Sequence, residues 1–266
     1  MRRYEIRMLL PAIMALAVFA AGSVSAEEIT IVGTGSGEII LQTVGTAFSE
    51  VNPGVTVSVP PSIGSGGGIK AVGTDQAVIG RVAREIKEKE KPYELTYLPF
   101  AGLPIVFFVN KNVSVQDLSP QQVCDIYGGK ITNWQEVGGE NAQIRVVRRE
   151  EGDSSLDVLL KSLPGFKDII ITPQCKTTLS DPETCALVME KDNTIAFGTY
   201  ANAKAVNAKV LSIGGASPTR PDYPYIGTLA FVFKEKNKIG IIARFLDFAT
   251  SEASREKIKA AGGLPL

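Results

Sequence analysis

The sequence predicts an α/β protein built as two lobes joined by two crossings. Three observations point there. A β-branched strand running into a glycine-rich loop and then a helix opens the chain and recurs soon after, the pattern of a parallel sheet with helices packed on it. Two long, nearly continuous apolar segments, Leu98–Asn110 and Tyr225–Lys234, have the length to leave one sheet and enter another. The closing helical segments have no strands of their own, so they should return to the first sheet.

Glu28–Val32 alternates and runs into Gly33-Thr34-Gly35-Ser36-Gly37. Ile39, Ile40, Val44, Ala47, Phe48 and Val51 recur at helical spacing, and Asn52-Pro53-Gly54 stops that helix. Val55–Val59 reads as a second strand, followed by Ser62–Lys70 and a short helix from about Gly67. The three consecutive glycines of that loop leave backbone N–H groups bare, and at a helix start the dipole favours an anion against them. The same run also reads as a flexible surface turn. Gln76–Gly80 is a short apolar strand, and Glu85–Lys91 alternates in charge as a solvated loop or helix face does.

After the first crossing, Leu118-Ser119-Pro120 starts a helix over Gln121–Tyr127, and a loop follows with the only tryptophan, Trp134. Gln143–Arg148 is a strand entering the small polar loop Arg149–Ser155. Leu156, Leu159, Leu160 and Leu163 then mark a helix, capped by Asp153 or Ser154 with unpaired amides behind. Thr194–Gly198 is a strand, Ala203–Leu211 leads into the Pro/Gly-rich stretch Gly214–Pro224, and Ile239–Phe248 and Ala253–Ala260 close the chain as helices. Ligands of such sheets sit outside the carboxyl ends of the strands, where the glycine-rich loops fall.

Composition narrows the chemistry. The 266 residues carry 28 bases, 28 acids and no histidine. Balanced charge argues against nucleic acid as a partner, and the lack of histidine removes His triads, His general bases and His metal sites. A hydrolase using Ser154 or Ser155 with Asp153 would need an activated lysine, and no Ser-x-x-Lys stands in these loops. Asp153 and Asp157 are one helical turn apart, but further oxygen ligands for a hard cation are not evident. Glu38 or Ile40 stands where a dinucleotide fingerprint needs its third glycine, so no cofactor is expected.

Residues 1–26 read as a signal peptide: Arg2, Arg3 and Arg7, the apolar run Met8–Gly22, and the small-residue site Val24-Ser25-Ala26. The competing reading is a membrane anchor, but the run is shorter than the roughly 20 residues of a spanning helix and holds Pro11. Cleavage near Ala26 places the mature chain outside the cytoplasm and leaves 25 bases against 27 acids. An exported chain with three cysteines is expected to pair two. Cys175 and Cys185 flank the short polar loop Lys176–Thr184 and are the expected disulfide, worth about 2–3 kcal/mol in the chain-entropy account. Cys124 is left as a buried free thiol.

Gly33–Gly37, Gly64-Ser65-Gly66-Gly67, Leu118–Trp134 ending in Gly-Lys-Ile-Thr-Asn-Trp, Arg149–Ser155 and Phe245–Glu252 stand in a telling order and spacing. Together they resemble the periplasmic solute-binding proteins of ABC importers, type II class, and most closely the phosphate-binding proteins, over essentially the whole mature chain. The resemblance implies a two-lobed type II fold, with two mixed sheets flanked by helices and joined by two hinge crossings. Residues 27–104 and 226–266 would form lobe 1, and 105–225 lobe 2. It also implies a monomeric periplasmic protein, not an enzyme, that captures phosphate or a related small oxyanion between the lobes and delivers it to the membrane subunits of an ABC importer. The alternative is a binding or sensor protein of the same fold for another small anionic or zwitterionic ligand.

In that family the anion is held by backbone amides and hydroxyls of three loops and by an arginine. Carried to this chain, the resemblance implicates Ser36 and Gly37, then Ser65 and Gly66, then Arg149, Asp153, Ser154 and Ser155. An arginine offers a rigid fork for two oxygens. Three positions depart from the pattern. Gly37-Glu38 stands where a hydroxyl is usual, Asp153 where a serine is usual, and Ala83 where a carboxylate would accept the proton of a protonated phosphate. Arg81 either aims a second cation into the cleft or is a solvated surface residue. Asp153 either supplies the missing acceptor or caps its own helix, facing its amides or pairing with Arg149.

Overall fold

The structure is a computed structural model in which residues 27–220 and 222–266 are described. The expected signal segment lies outside the described residues. β1 (Glu27–Gly33) runs through a 3-10 turn, Gly35–Gly37, into α1 (Glu38–Val51), and β2 (Val55–Ser58) follows. α2 (Gly64–Gly73) begins three residues before the expected start, and β3 (Ile79–Val82) lies slightly later than read. Gly68 of α2 serves packing: a Cβ on it would come within 2.9 Å of the Gly33 Cα, so only glycine lets the helix rest this closely on the end of β1.

β4 (Thr96–Val109) is the first crossing. β5 (Asp117–Leu118) leads to α3 (Pro120–Tyr127), opened by a capping box in which Ser119 and Gln122 satisfy each other's amides. β6 (Arg145–Arg149) and α4 (Ser154–Ser162) follow. Where a polar loop was expected, the chain forms β7 (Lys176–Thr178) and α5 (Asp181–Glu190). β8 (Thr194–Thr199), α6 (Tyr200–Ala205), β9 (Lys209–Val210) and β10 (Ser212–Ile213) precede the second long strand, β11 (Ile226–Phe233). α7 (Gly240–Ala249), α8 (Glu252–Ala260) and β12 (Leu264–Pro265) end the chain.

The strands order as β2-β1-β3-β11-β4-β8-β6-β7, with β12 and β9 also on β4. The two expected sheets therefore meet in one continuous, mixed path, because β4 belongs to both. Its partner changes at one point: Pro104 is opposite Ile226 of β11, and Ile105 is opposite Thr199 of β8. The chain entering β11 crosses beside it, with the Ile105 N–H donating to the Tyr225 carbonyl and the Tyr223 hydroxyl donating to that of Ile105. On one side of this point Phe100 stacks on Phe231 at 4.3 Å, and Phe48 of α1 meets Phe245 edge-on, which brings α7 back onto the helix that follows β1. On the other, Phe107, Tyr127, Phe166 and Phe197 form a cluster of mutually tilted rings.

Two expectations are corrected. Cys175 and Cys185 do not form the disulfide; both are free, as is Cys124. β7 separates them, and the Cys185 thiol lies on the buried side of α5 against the Asn202 carbonyl of α6, whereas Cys175 faces the Lys176 carbonyl. Burial pushes both thiols up to about 12. The charge run Glu85–Lys91 is not wholly solvated either: Glu90 is buried and takes a two-pronged ion pair from Arg84, both contacts 2.8 Å. That hydrogen bonding holds the Glu90 carboxyl below the usual range, against the opposing effect of burial.

Candidate functional site

The loops after β1 and β6 and the start of α2 meet around a cavity of about 240 Å³. Each contributes a helix start whose first amides lack intrahelical partners. In the first loop the Thr34 hydroxyl accepts from the Ser36 N–H at 3.3 Å and fixes the 3-10 turn. Gly37 is buried beneath Leu229: a Cβ there would lie 2.3 Å from its Cδ1. The missing hydroxyl in the first loop thus has a packing cause. At the second loop the Ser65 hydroxyl accepts the Ala83 N–H at 3.1 Å, which fixes it in place and leaves its own proton to donate.

The third loop holds the charge. Arg149, only 4% exposed, lies 3.3 Å from Asp153, 3.0 Å from Asp181 and 3.2 Å from Glu150. Burial would lower the pKa of its guanidinium, but Asp181, Asp153 and Glu150 outweigh that and hold it above the ordinary value. Asp153 caps α4: its Oδ1 accepts the N–H groups of Ser155 and Leu156, both at 3.0 Å. Burial nevertheless raises its carboxyl from 3.8 to about 6; Arg149 opposes the shift and Asp181 adds to it. Across the cleft, Ser154 Oγ lies 3.0 Å from Ser36 Oγ.

Of the expected residues, Ser65, Arg149, Asp153 and Ser154 line the cavity, and Ser36 joins them through Ser154. Ser155 is fully buried just behind, and its hydroxyl has no hydrogen-bond partner among the described residues. Gly66 lies in the first turn of α2 on the side of Arg84, and Gly37 is held under Leu229. Arg81 takes neither of its two expected roles. It is fully buried, and its guanidinium donates to the carbonyls of Thr34 and Pro60, both at 2.7 Å, and of Ile31. It braces the first loop from behind; burial, partly offset by Glu38, lowers its pKa to about 10.

One prominent residue was not anticipated. Asp181, the first residue of α5, is buried and closes the cavity wall opposite Gly35, where a Cβ would lie 2.9 Å from its Oδ2. Ser180-Asp181-Pro182-Glu183 carried the signal: a Ser-x-x-Glu start with proline in the first turn marks a helix. Ser180 does cap the Glu183 N–H at 3.3 Å. Among the described residues, no N–H or O–H donates to the Asp181 carboxylate with hydrogen-bond geometry, and Arg149 Nη1 beside it has no hydrogen-bond partner. A cation, an unpaired guanidinium N–H, an unpaired buried hydroxyl and three helix starts suit a small oxyanion. The Asp181 carboxylate, ion-paired with Arg149 but accepting no hydrogen bond among the described residues, suits one that carries a proton.

Residues 20–253 match the description PBP superfamily domain. The phosphate-binding protein PstS of Bacillus subtilis (strain 168) is 25% identical over 240 residues, covering 87% of this chain and 78% of that protein. Among solved structures, a putative phosphate ABC transporter substrate-binding protein with bound phosphate from Clostridium perfringens superposes with a TM-score of 0.80 at 28% identity. It covers 90% of this chain and 100% of its own. An ABC-type phosphate transport receptor from Vibrio cholerae shares the fold, with a TM-score of 0.65 at 24% identity over 89% of this chain and 99% of its own.

Proposed function

The chain belongs to the PBP superfamily, and we propose from that premise that it is a substrate-binding protein capturing phosphate for ABC-type import. It is a solute-binding protein and not an enzyme. The observation that carries the reading is Arg149, buried at the meeting of three helix starts with its Nη1 lacking a hydrogen-bond partner. Ser36, Ser65, Ser154, Ser155 and the amides beside them supply neutral donors, and Arg149 supplies the charge. Asp181 is the acceptor for a protonated phosphate, in place of the carboxylate absent at Ala83.

Residues 27–104 with 226–266 and residues 105–225 act as the two lobes. This division is supported by the change of partner along β4 between Pro104 and Ile105. Closure about that point, between Pro104 and Ile105 of β4, shifts the open–closed population as the anion bridges the lobes. The protein works in the periplasm as a monomer after removal of residues 1–26, and hands its ligand to the membrane subunits of the importer.

Isothermal titration of ligand-free protein with phosphate, sulfate and molybdate tests the assignment. Saturable heat with phosphate and a weaker response to sulfate is the expected result. The absence of heat and of thermal stabilisation with all three would remove it.

A further inference from the structure

The first loop carries a hydroxyl that the serines assigned above do not account for. Thr34, the residue before the 3-10 turn, lines the anion cavity and is buried. Among the described residues its hydroxyl makes one hydrogen bond, accepting the Ser36 N–H at 3.3 Å. An oxygen that accepts in this way still has a proton to give. No described group takes it.

Ser65 on the second loop has the same arrangement. It is also buried, lines the same cavity, accepts one backbone N–H, that of Ala83, and donates to no described group. Ser62 differs: it lines the cavity and accepts the Gly64 N–H, but it is exposed, so water can take its proton. A buried donor with no acceptor in the chain calls for one from outside it.

The backbone of Thr34 is fixed from both sides. Its N–H donates to the Arg81 carbonyl at 3.1 Å, and its own carbonyl accepts from Arg81 Nε at 2.7 Å. The two bonds close a ring between the threonine and a fully buried arginine. Gly33 makes this approach possible, since a Cβ there would lie 1.9 Å from the same Arg81 carbonyl oxygen. Threonine is also stiff about its first side-chain torsion. The hydroxyl is therefore set before any ligand arrives, and binding forfeits little freedom to use it. The same loop lacks the hydroxyl expected at Gly37, where Leu229 leaves no room for a side chain.

We propose that Thr34 is a ligand-binding residue of the anion cavity, donating its hydroxyl proton to a phosphate oxygen in place of the donor missing at Gly37. The inference rests on the phosphate-binding reading and extends its set of donors.

Titration calorimetry with phosphate and a crystal structure of the phosphate complex test it. Thr34→Val keeps the shape and removes the proton. It should weaken binding by at least about tenfold, whereas Thr34→Ser should stay within about threefold of wild type. Valine also removes the acceptor for the Ser36 N–H, and urea denaturation of the ligand-free protein reads that effect separately. In the wild-type complex a phosphate oxygen should lie about 2.5–3.0 Å from Thr34 Oγ1. Phosphate bound beyond hydrogen-bond reach of that oxygen overturns the inference, as does an unchanged affinity in Thr34→Val; either result leaves the phosphate reading standing. Absence of phosphate binding by the wild-type protein overturns both.

Discussion

The hydroxyls of Ser36 and Ser154 meet at 3.0 Å, although 118 residues separate them. One stands in the turn before α1 and the other is the first residue of α4, so the contact joins the two sides of the cleft. Both lie beside the cavity that Arg149 charges, and an oxyanion between them would exchange this mutual bond for two to itself.

Ser36→Ala and Ser154→Ala should each weaken phosphate binding by about 5- to 10-fold, the worth of one net hydrogen bond of about 1 kcal/mol or slightly more. The double variant should lose less than the product of the two, because both donors serve one ligand. Calorimetric titration of the four proteins completes the cycle; strictly multiplicative losses would mean that the hydroxyls act independently.

Arg149→Met should abolish measurable phosphate binding and also destabilise the fold. The substitution strands Asp153 and Asp181, both buried, and breaking a buried pair by removing one partner costs about 3–5 kcal/mol. Urea denaturation should register the loss. Arg149→Lys should keep more stability than the methionine variant and still bind at least about tenfold less tightly, since a point charge does not replace the fork.

Asp153 gives the protein a pH signature. Its carboxyl is raised from 3.8 to about 6 in the folded state, chiefly by burial. The folded chain therefore holds this proton more tightly than the unfolded chain. The associated stability is fully present below about pH 4 and is lost as pH rises through about 6. Asp153→Asn keeps a capping oxygen and removes the titration. The stability difference between variant and wild type should shift in favour of the variant from pH 4 to pH 7; parallel pH profiles by chemical denaturation would refute the assignment.

Asp181→Asn should narrow the preference for phosphate over sulfate by about tenfold or more. The amide offers a donor to an oxyanion that has no proton to give, where the carboxylate repels it. Competition titration with the two anions reads the ratio directly, and an unchanged ratio would return the acceptor role to another group.

Gly37→Ser restores the hydroxyl expected in the first loop, yet it should destabilise. Its Cβ would lie 2.3 Å from Leu229 Cδ1, and forcing atoms into a packed core costs about 1–3 kcal/mol. Adding Leu229→Ala should relieve part of the penalty measured for Gly37→Ser alone, in thermal melts of the single and paired variants.

Much of the architecture was legible in the residues because periodicity reports burial. The crossing read over Leu98–Asn110 is β4, and the helix with Asp153 as its cap is α4. Legibility failed where the pattern was weak or non-local. α5 is short and only weakly amphipathic, so the polar residues before it read as a loop and hid Asp181. Arg81 is a charged residue inside a wholly buried four-residue strand, and only the three-dimensional arrangement shows the carbonyls that accept its protons. The small residue at Gly37 is not explained by its neighbours in the chain; Leu229 explains it from afar.

β4 has one further consequence. One half of the strand supplies the ladder for β11 and β12, and the other half that for β8 and β9, with no loop between. Melting either side would bare the edge that the other needs, and an uncovered edge invites association with other chains. The two halves are thus bound to a common fate during folding, and neither is a module that recombination could excise and graft intact.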